Sequence, residues 1–255
     1  MAGAILVLSC FSFSCPAEEP AARIEQLLDR FELPASWRAR FWKSPDAQAL
    51  RKKCLGEVMD LVPVQSGLRF CRCPECGAEE WEEPLAWSVQ DPQVLKCRKC
   101  GVKVPNDKYP AKVNKEVPEE KVEVRKGVFH HYPYHVVEPD KARYPDERLY
   151  LQARRDYEAR KYMARAALYA AAEHHARARS TADASYGELA CVILLRFARV
   201  YPSYATHCDQ PGRTKVLEPA RLHPPYRRGY LTAKWEWSGS LEVPLNLVMA
   251  RALLR

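Results

Sequence analysis

Apolar residues recur at helical spacing over most of the chain. Ile24, Leu27, Leu28 and Phe31 fall at i, i+3, i+4 and i+7, which places them on one face of a helix that Pro34 ends. Leu50, Cys54, Val58 and Leu61 repeat at the same period and predict a second helix from the late forties to about residue 61. Trp37, Phe41 and Trp42 lie between these segments, where core packing is the simplest use for three aromatic rings. Beyond Pro145 the pattern strengthens. Asp146 and Glu147 suit a first helical turn, and Tyr162, Ala166, Tyr169 and Ala170 trace one face of a helix ending near His175. The alanine-rich run 164–172 permits close helix–helix approach, and His174 and His175 suit the negative end of the helix dipole. Leu189, Ile193 and Phe197 mark the next helix, which Pro202 stops, so the two form an antiparallel αα-hairpin. A last apolar run, Leu241 to Leu254, reads as an amphipathic helix with Pro244 in its first turn. The chain is therefore expected to be mainly α.

Four stretches depart from this pattern. Residues 1–17 contain no Lys, Arg, Asp or Glu, and the apolar run from Ala2 to Cys15 is shorter than the ~20 residues that span a bilayer. It reads as a signal peptide with Ala17 near a cleavage point, and Cys10 or Cys15 as a lipid acceptor. A buried N-terminal helix or a misplaced start codon is the alternative. Export predicts a periplasmic or extracellular location, with no membrane span. Residues 18–66 are the N-terminal helices and 67–105 form a separate cysteine module. Residues 106–145, rich in Pro, Lys, Glu and Tyr, read as a loop or linker, with Lys115 to Arg125 a solvated strand or loop of alternating sign. Its His130, His131 and His135 have no carboxylate at a defined spacing and read as part of an aromatic loop packed on the helical body. Residues 203–234 are irregular and punctuated by prolines.

The cysteine module carries the strongest local chemistry. Cys73-Pro74-Glu75-Cys76-Gly77 is followed by Cys97-Arg98-Lys99-Cys100-Gly101. Each CxxC turn aims two thiolates at one point, and the following glycine allows the positive φ that lets backbone N–H groups approach sulfur. The spacing suits a zinc ribbon in which Cys73, Cys76, Cys97 and Cys100 close a tetrahedral, structural Zn²⁺ site, the second pair carried on a β-hairpin. Two disulfides are the alternative, which export favours, although a CxxC disulfide is strained and more often redox-active than structural. Cys71 is one cysteine more than the tetrad needs.

Charge sharpens the division. The chain of 255 residues carries a net +8. Residues 1–150 hold 23 basic and 23 acidic residues, whereas 151–255 hold 17 basic, 14 of them arginine, against 9 acidic. An electrostatic partner of that half is an anion. Tyr226, Arg227, Arg228, Tyr230 and Trp235 combine arginine, which binds carboxylate or sulfate through paired donors, with aromatic faces that stack on sugar rings. They are the candidate substrate-binding residues; core tryptophans in a solvated loop are the alternative.

The paired CxxCG units, Val104-Pro105-Asn106-Asp107, the tyrosine- and alanine-rich stretch Tyr157 to Ala172, and Ala198-Arg199-Val200-Tyr201-Pro202-Ser203-Tyr204 occur in that order. Together they resemble the N-terminal part of the heparinase II/III-like and oligoalginate lyase group of polysaccharide lyases, over roughly residues 67–255 and most clearly 145–210. The resemblance implies an incomplete (α/α) toroid of helical hairpins over 146–255, with the small β zinc-ribbon inserted before it, in an exported enzyme. Such lyases cleave acidic, uronic-acid polysaccharides by β-elimination: the carboxylate is neutralised, a tyrosine or histidine removes the C5 proton, and an acid protonates the leaving oxygen. The group carries its catalytic groups further along the toroid, and this sequence contains no Asn-His pair. No catalytic residue carries over. The last apolar run reaches the end of the sequence without a glycine cap, which reads as truncation, and the chain is expected to supply scaffold and part of one cleft wall. A nucleic-acid-binding zinc-ribbon protein is an alternative; the net-neutral half that holds the ribbon and the signal-like N-terminus weigh against nucleic acid. A helical-repeat scaffold is another, without a visible second copy of the 162–202 hairpin at a 34-residue period.

Overall fold

A computed structural model describes residues 31–64, 67, 71–79, 82–109, 111–113, 120–125, 128–132, 135–137, 149–178, 185–201 and 237–254. Among these residues the chain is mainly helical, with three small antiparallel sheets, two of three strands and one of two, between the first helices and the last three.

Three short helices come first: α1 (Ala35–Trp42), α2 (Pro45–Arg51) and α3 (Leu55–Leu61). The single helix expected from the late forties to 61 is two. Ser44 caps α2 by accepting the Ala47 N–H at 3.3 Å, with Pro45 and Asp46 in the first turn, where a missing donor and a negative charge are both favourable. Lys52 ends that helix, and Cys54 opens α3 as its N-cap, its own N–H held by Glu57 at 2.8 Å. Periodicity runs through this corner because Leu50 and Val58 face the same core on either side of it. α1 occupies the segment expected only to contribute aromatic rings. Phe41 stacks on Tyr169 at 4.3 Å and Tyr162 at 5.8 Å, and Trp42 meets Tyr186 edge-on at 4.9 Å. Trp37 does not join them; it is 54% exposed.

The sheet strands β1 (Leu85–Ala86), β2 (Leu95–Cys97) and β3 (Lys103–Val104) form a meander in the order β1-β2-β3, with Leu85 opposite Cys97 and Leu95 opposite Val104. The stretch 106–145, expected as loop or linker, also contains strands. β4 (Ala111–Val113) pairs with β7 (His135–Val137), which pairs with β8 (Leu149–Tyr150); β5 (Glu120–Arg125) and β6 (Val128–Tyr132) make a separate hairpin. The short alternation Lys-Val-Glu-Val-Arg at 121–125 is a period-2 signal masked by its charge. His130 and His131 are consecutive residues of β6 and His135 opens β7.

α4 (Leu151–Ala178) is the central element, 28 residues or about 42 Å long. It starts after β8 rather than at Pro145 and runs three residues past His175. No glycine or proline interrupts it, and its alanines favour the helix while leaving room for neighbours. Ala164, Ala167, Ala170 and Ala171 are fully buried. α5 (Ser185–Val200) returns antiparallel to α4, burying Leu189, Ile193 and Phe197 as expected, and α6 (Trp237–Leu253) lies along α4 as well. α6 begins earlier than its apolar run, so Pro244 is inside the helix rather than in its first turn. Such a proline removes the N–H that would meet the Ser240 carbonyl, a cost that docking on α4 must offset. Part of that docking is electrostatic. Glu242 is 2.6 Å from Arg165 and 3.4 Å from Lys161, and although burial opposes its charge these two cations hold its carboxyl below the usual range.

Gly187 is a point of close approach between α5 and α4. A β-carbon there would meet three ring atoms of His174 at 3.0–3.2 Å. Gly187→Val is expected to destabilise the protein by about 1–3 kcal/mol in urea unfolding, the usual cost of overpacking. The added change His174→Ala should return most of that loss; equal losses in single and double variants would show that the helices do not meet there.

A candidate metal centre docked on the helices

Each CxxCG unit folds into the same turn. Gly77 N–H donates to the Cys73 carbonyl and Gly101 N–H to the Cys97 carbonyl, both at 3.0 Å. Cys73 N–H then donates to the Ala78 carbonyl, and Cys97 N–H to that of Val102. Gly77 and Gly101 have φ of 63° and 77°, values that other residues adopt at a cost. The two turns face each other and bring the sulfurs of Cys73, Cys76, Cys97 and Cys100 within 4.8 Å of one another.

The distances discriminate between the two sequence-based readings. A disulfide needs sulfurs about 2.05 Å apart. Here the sulfurs of Cys73 and Cys100 are 3.7 Å apart and those of Cys76 and Cys97 are 3.9 Å apart, and all four cysteines are free. Four sulfurs bound at about 2.3 Å to one tetrahedral ion have an edge of about 3.8 Å. The four residues thus fit a single tetrahedral, thiophilic ion. Cys73 and Cys97 are buried, Cys76 is half-buried and Cys100 exposed, so one edge of the site faces solvent.

The local electrostatics act in opposite directions on the thiols, raising those of Cys73 and Cys100 by burial and lowering that of Cys97. Burial pushes the Cys73 thiol up, against the backbone N–H groups of Cys76 and Glu75. At Cys97 burial acts in the same direction but is outweighed by the N–H groups of Cys100 and Lys99 and the neighbouring thiols, which bring it down to about 7. The Lys99 N–H lies 3.4 Å from the Cys97 sulfur. Such N–H···S contacts fix the thiolate and spread its charge.

The module is joined to the helical body at three places. Arg154, fully buried in the first turn of α4, donates from Nη2 at 3.0 Å and Nε at 3.3 Å to the carbonyl of Leu85, the residue paired with Cys97. Its Nη2 is also 2.7 Å from Glu158 and 3.9 Å from Glu83. Burial opposes the charge of Arg154, and Glu158, then Cys71 and Glu83, more than offset it. Cys71, outside the tetrad as expected, is buried on this side. Arg155 donates to the Gln93 carbonyl at 2.8 Å. Asp46 of α2 accepts from the Val89 N–H at 2.9 Å and from the Ser88 hydroxyl. Between these bonds the Trp87 ring lies 5.7 Å from that of Tyr162. The ring of Tyr157 is flanked by the guanidinium groups of Arg154 and Arg160 at 5.3 and 5.2 Å.

These arginines change the meaning of the charge count. Of the eight arginines described in the second part, Arg154, Arg155, Arg160 and Arg196 are buried, so half of those described act inside the protein rather than at its surface. Sequence reasoning overlooked the docking residues. The Arg154–Glu158 spacing of i, i+4 was the available signal, and it ordinarily marks a solvated helix face.

The proposed substrate-binding residues Tyr226, Arg227, Arg228, Tyr230 and Trp235 lie outside the described residues, as does the signal-like segment 1–17. No described helix is long and apolar enough to cross a membrane. The chain matches no protein-family model, no curated protein and no solved structure.

Proposed function

We propose that Cys73, Cys76, Cys97 and Cys100 hold one structural Zn²⁺ ion, and that the chain is the scaffold part of an exported lyase for acidic polysaccharides. The observation that carries the first statement is the agreement of the 3.7 and 3.9 Å sulfur separations with the edge of a zinc–tetrathiolate tetrahedron. With four protein ligands the ion has no open position, so its work is to fix the ribbon rather than to activate water. The second statement is supported by the family resemblance of the sequence and by the antiparallel α4–α5 hairpin with its alanine-lined contact, which suits a toroid of hairpins. In this reading Tyr226, Arg227, Arg228, Tyr230 and Trp235 form one wall of the cleft for uronic-acid units, and the proton-transfer groups lie elsewhere.

Alginate and heparin oligosaccharides test the second statement. The chain is expected to bind them in a salt-dependent way without generating the ultraviolet absorbance of a new double bond. Replacing Arg227 and Arg228 by alanine should weaken binding by about tenfold or more, the loss expected for charge-assisted hydrogen bonds. Preference for duplex DNA over both polysaccharides would contradict the reading and favour a nucleic-acid-binding ribbon.

A further inference from the structure

α5 and α6 both lean on α4 but hardly touch each other, which leaves an open groove of about 670 Å³ between them. Leu194, Leu195 and Tyr201 line it from α5, and Leu247, Val248 and Arg251 from α6. It runs from Pro244 to Leu254, ten residues of helical rise or about 15 Å, three turns in length. Its rim is apolar and open to solvent: Leu195 is 68% exposed and Val248 51%. Among the described residues no acidic side chain lines the groove; the one charged lining residue described is Arg251, and Arg199 is exposed one turn beyond Leu195.

We infer that this groove is a docking site for an amphipathic helix of a partner protein whose apolar stripe is flanked by acidic residues. Two helices splayed on a third offer the seat that a fourth helix fills in a bundle, and a stripe at i, i+3, i+4, i+7, i+8 and i+11 spans the three turns available. The charge selects the partner. A second copy of this chain packed groove to groove would bring Arg251 of both copies into one interface with no acid among the described lining residues, whereas Glu or Asp beside the stripe would pair with Arg251. The inference does not depend on what the ribbon binds or on any polysaccharide.

Two synthetic three-to-four-turn helical peptides test it on the full chain, both with leucine at the stripe positions, one with glutamate and the other with lysine at the flanks. The glutamate peptide should bind at least about fivefold more tightly, as one partly desolvated ion pair requires. Arg251→Glu should reverse that preference. Leu195→Glu should cost the glutamate peptide about tenfold or more, because an exposed leucine would no longer be covered. Both changes are at exposed positions, and an unaltered helical circular dichroism spectrum verifies the fold. Equal affinity for the two peptides, or a preference that Arg251→Glu leaves unchanged, would overturn the inference. So would a concentration-dependent dimer that Leu195→Glu dissociates, since the groove would then belong to a second copy.

Discussion

Cys97→Ser is expected to release the metal and unfold the ribbon, the largest effect of any single change in this chain. Cys97 is 1% exposed, occupies the middle of the three-stranded sheet opposite Leu85, and lies across the cluster from Cys76. Serine offers a harder, less acidic ligand, and three thiolates cannot close the tetrahedron. The sheet cannot compensate. Its strands are two or three residues long, so most of its order comes from the two cysteine turns. Structural zinc sites contribute apparent binding free energies of about 10–16 kcal/mol, which in small modules is folding free energy. Metal analysis should therefore fall from one ion per chain to nearly none, and amide exchange over 82–109 should approach that of an unfolded segment. The same loss should follow treatment of the native protein with a strong chelator. The αα-hairpin should keep most of its helical signal, because Ile193, Phe197 and the α4 alanines share a core made mainly by helical residues, to which the ribbon side adds Val89 and, at its edge, Trp87.

Arg154→Met comes second. This change leaves the metal in place and loosens the contact between ribbon and helices. Arg154 satisfies the Leu85 carbonyl and neutralises Glu158, whose side chain is only 15% exposed. Methionine fills a similar volume and does neither. Removing one partner of a buried pair typically costs about 3–5 kcal/mol, since the remaining charge is stranded. Arg154→Lys should recover little of this, because one ammonium group cannot reproduce the fork that reaches both the carbonyl and the carboxylate. The expected signature is full metal content, a lower unfolding midpoint, and faster amide exchange in β1 and the first turns of α4. Unchanged stability in Arg154→Met would mean that the ribbon is held by the Asp46 and Arg155 contacts alone.

The two variants separate two parts of the molecule that differed in how well the sequence announced them. The cysteine tetrad was legible because its geometry is local: two CxxCG units encode their own turns, and the glycines take the positive φ expected of them. The α4–α5 hairpin was legible for the same kind of reason, since Leu189, Ile193, Phe197 and the stop at Pro202 are one-helix signals. What failed were features decided at a distance. The corner at Lys52–Cys54 keeps the apolar period intact, so only the capping geometry of Cys54 and Glu57 reveals two helices. The start of α6 at Trp237 overrides the usual preference of proline for a first turn, because tertiary packing outweighs local propensity. Arg154 and Asp46 read as ordinary charged surface residues until the ribbon closes over them. Charge counting had the same defect: it could not distinguish arginines at the surface from the four that face the core.

The most direct test of the central claim is the metal-ligand environment of the purified chain, read by zinc-edge X-ray absorption together with metal stoichiometry. One zinc ion per chain with four sulfur neighbours at about 2.3 Å is the expected result. A chain that holds no zinc and whose Cys73, Cys76, Cys97 and Cys100 are paired as disulfides, or an ion bound mainly through nitrogen or oxygen, would contradict it.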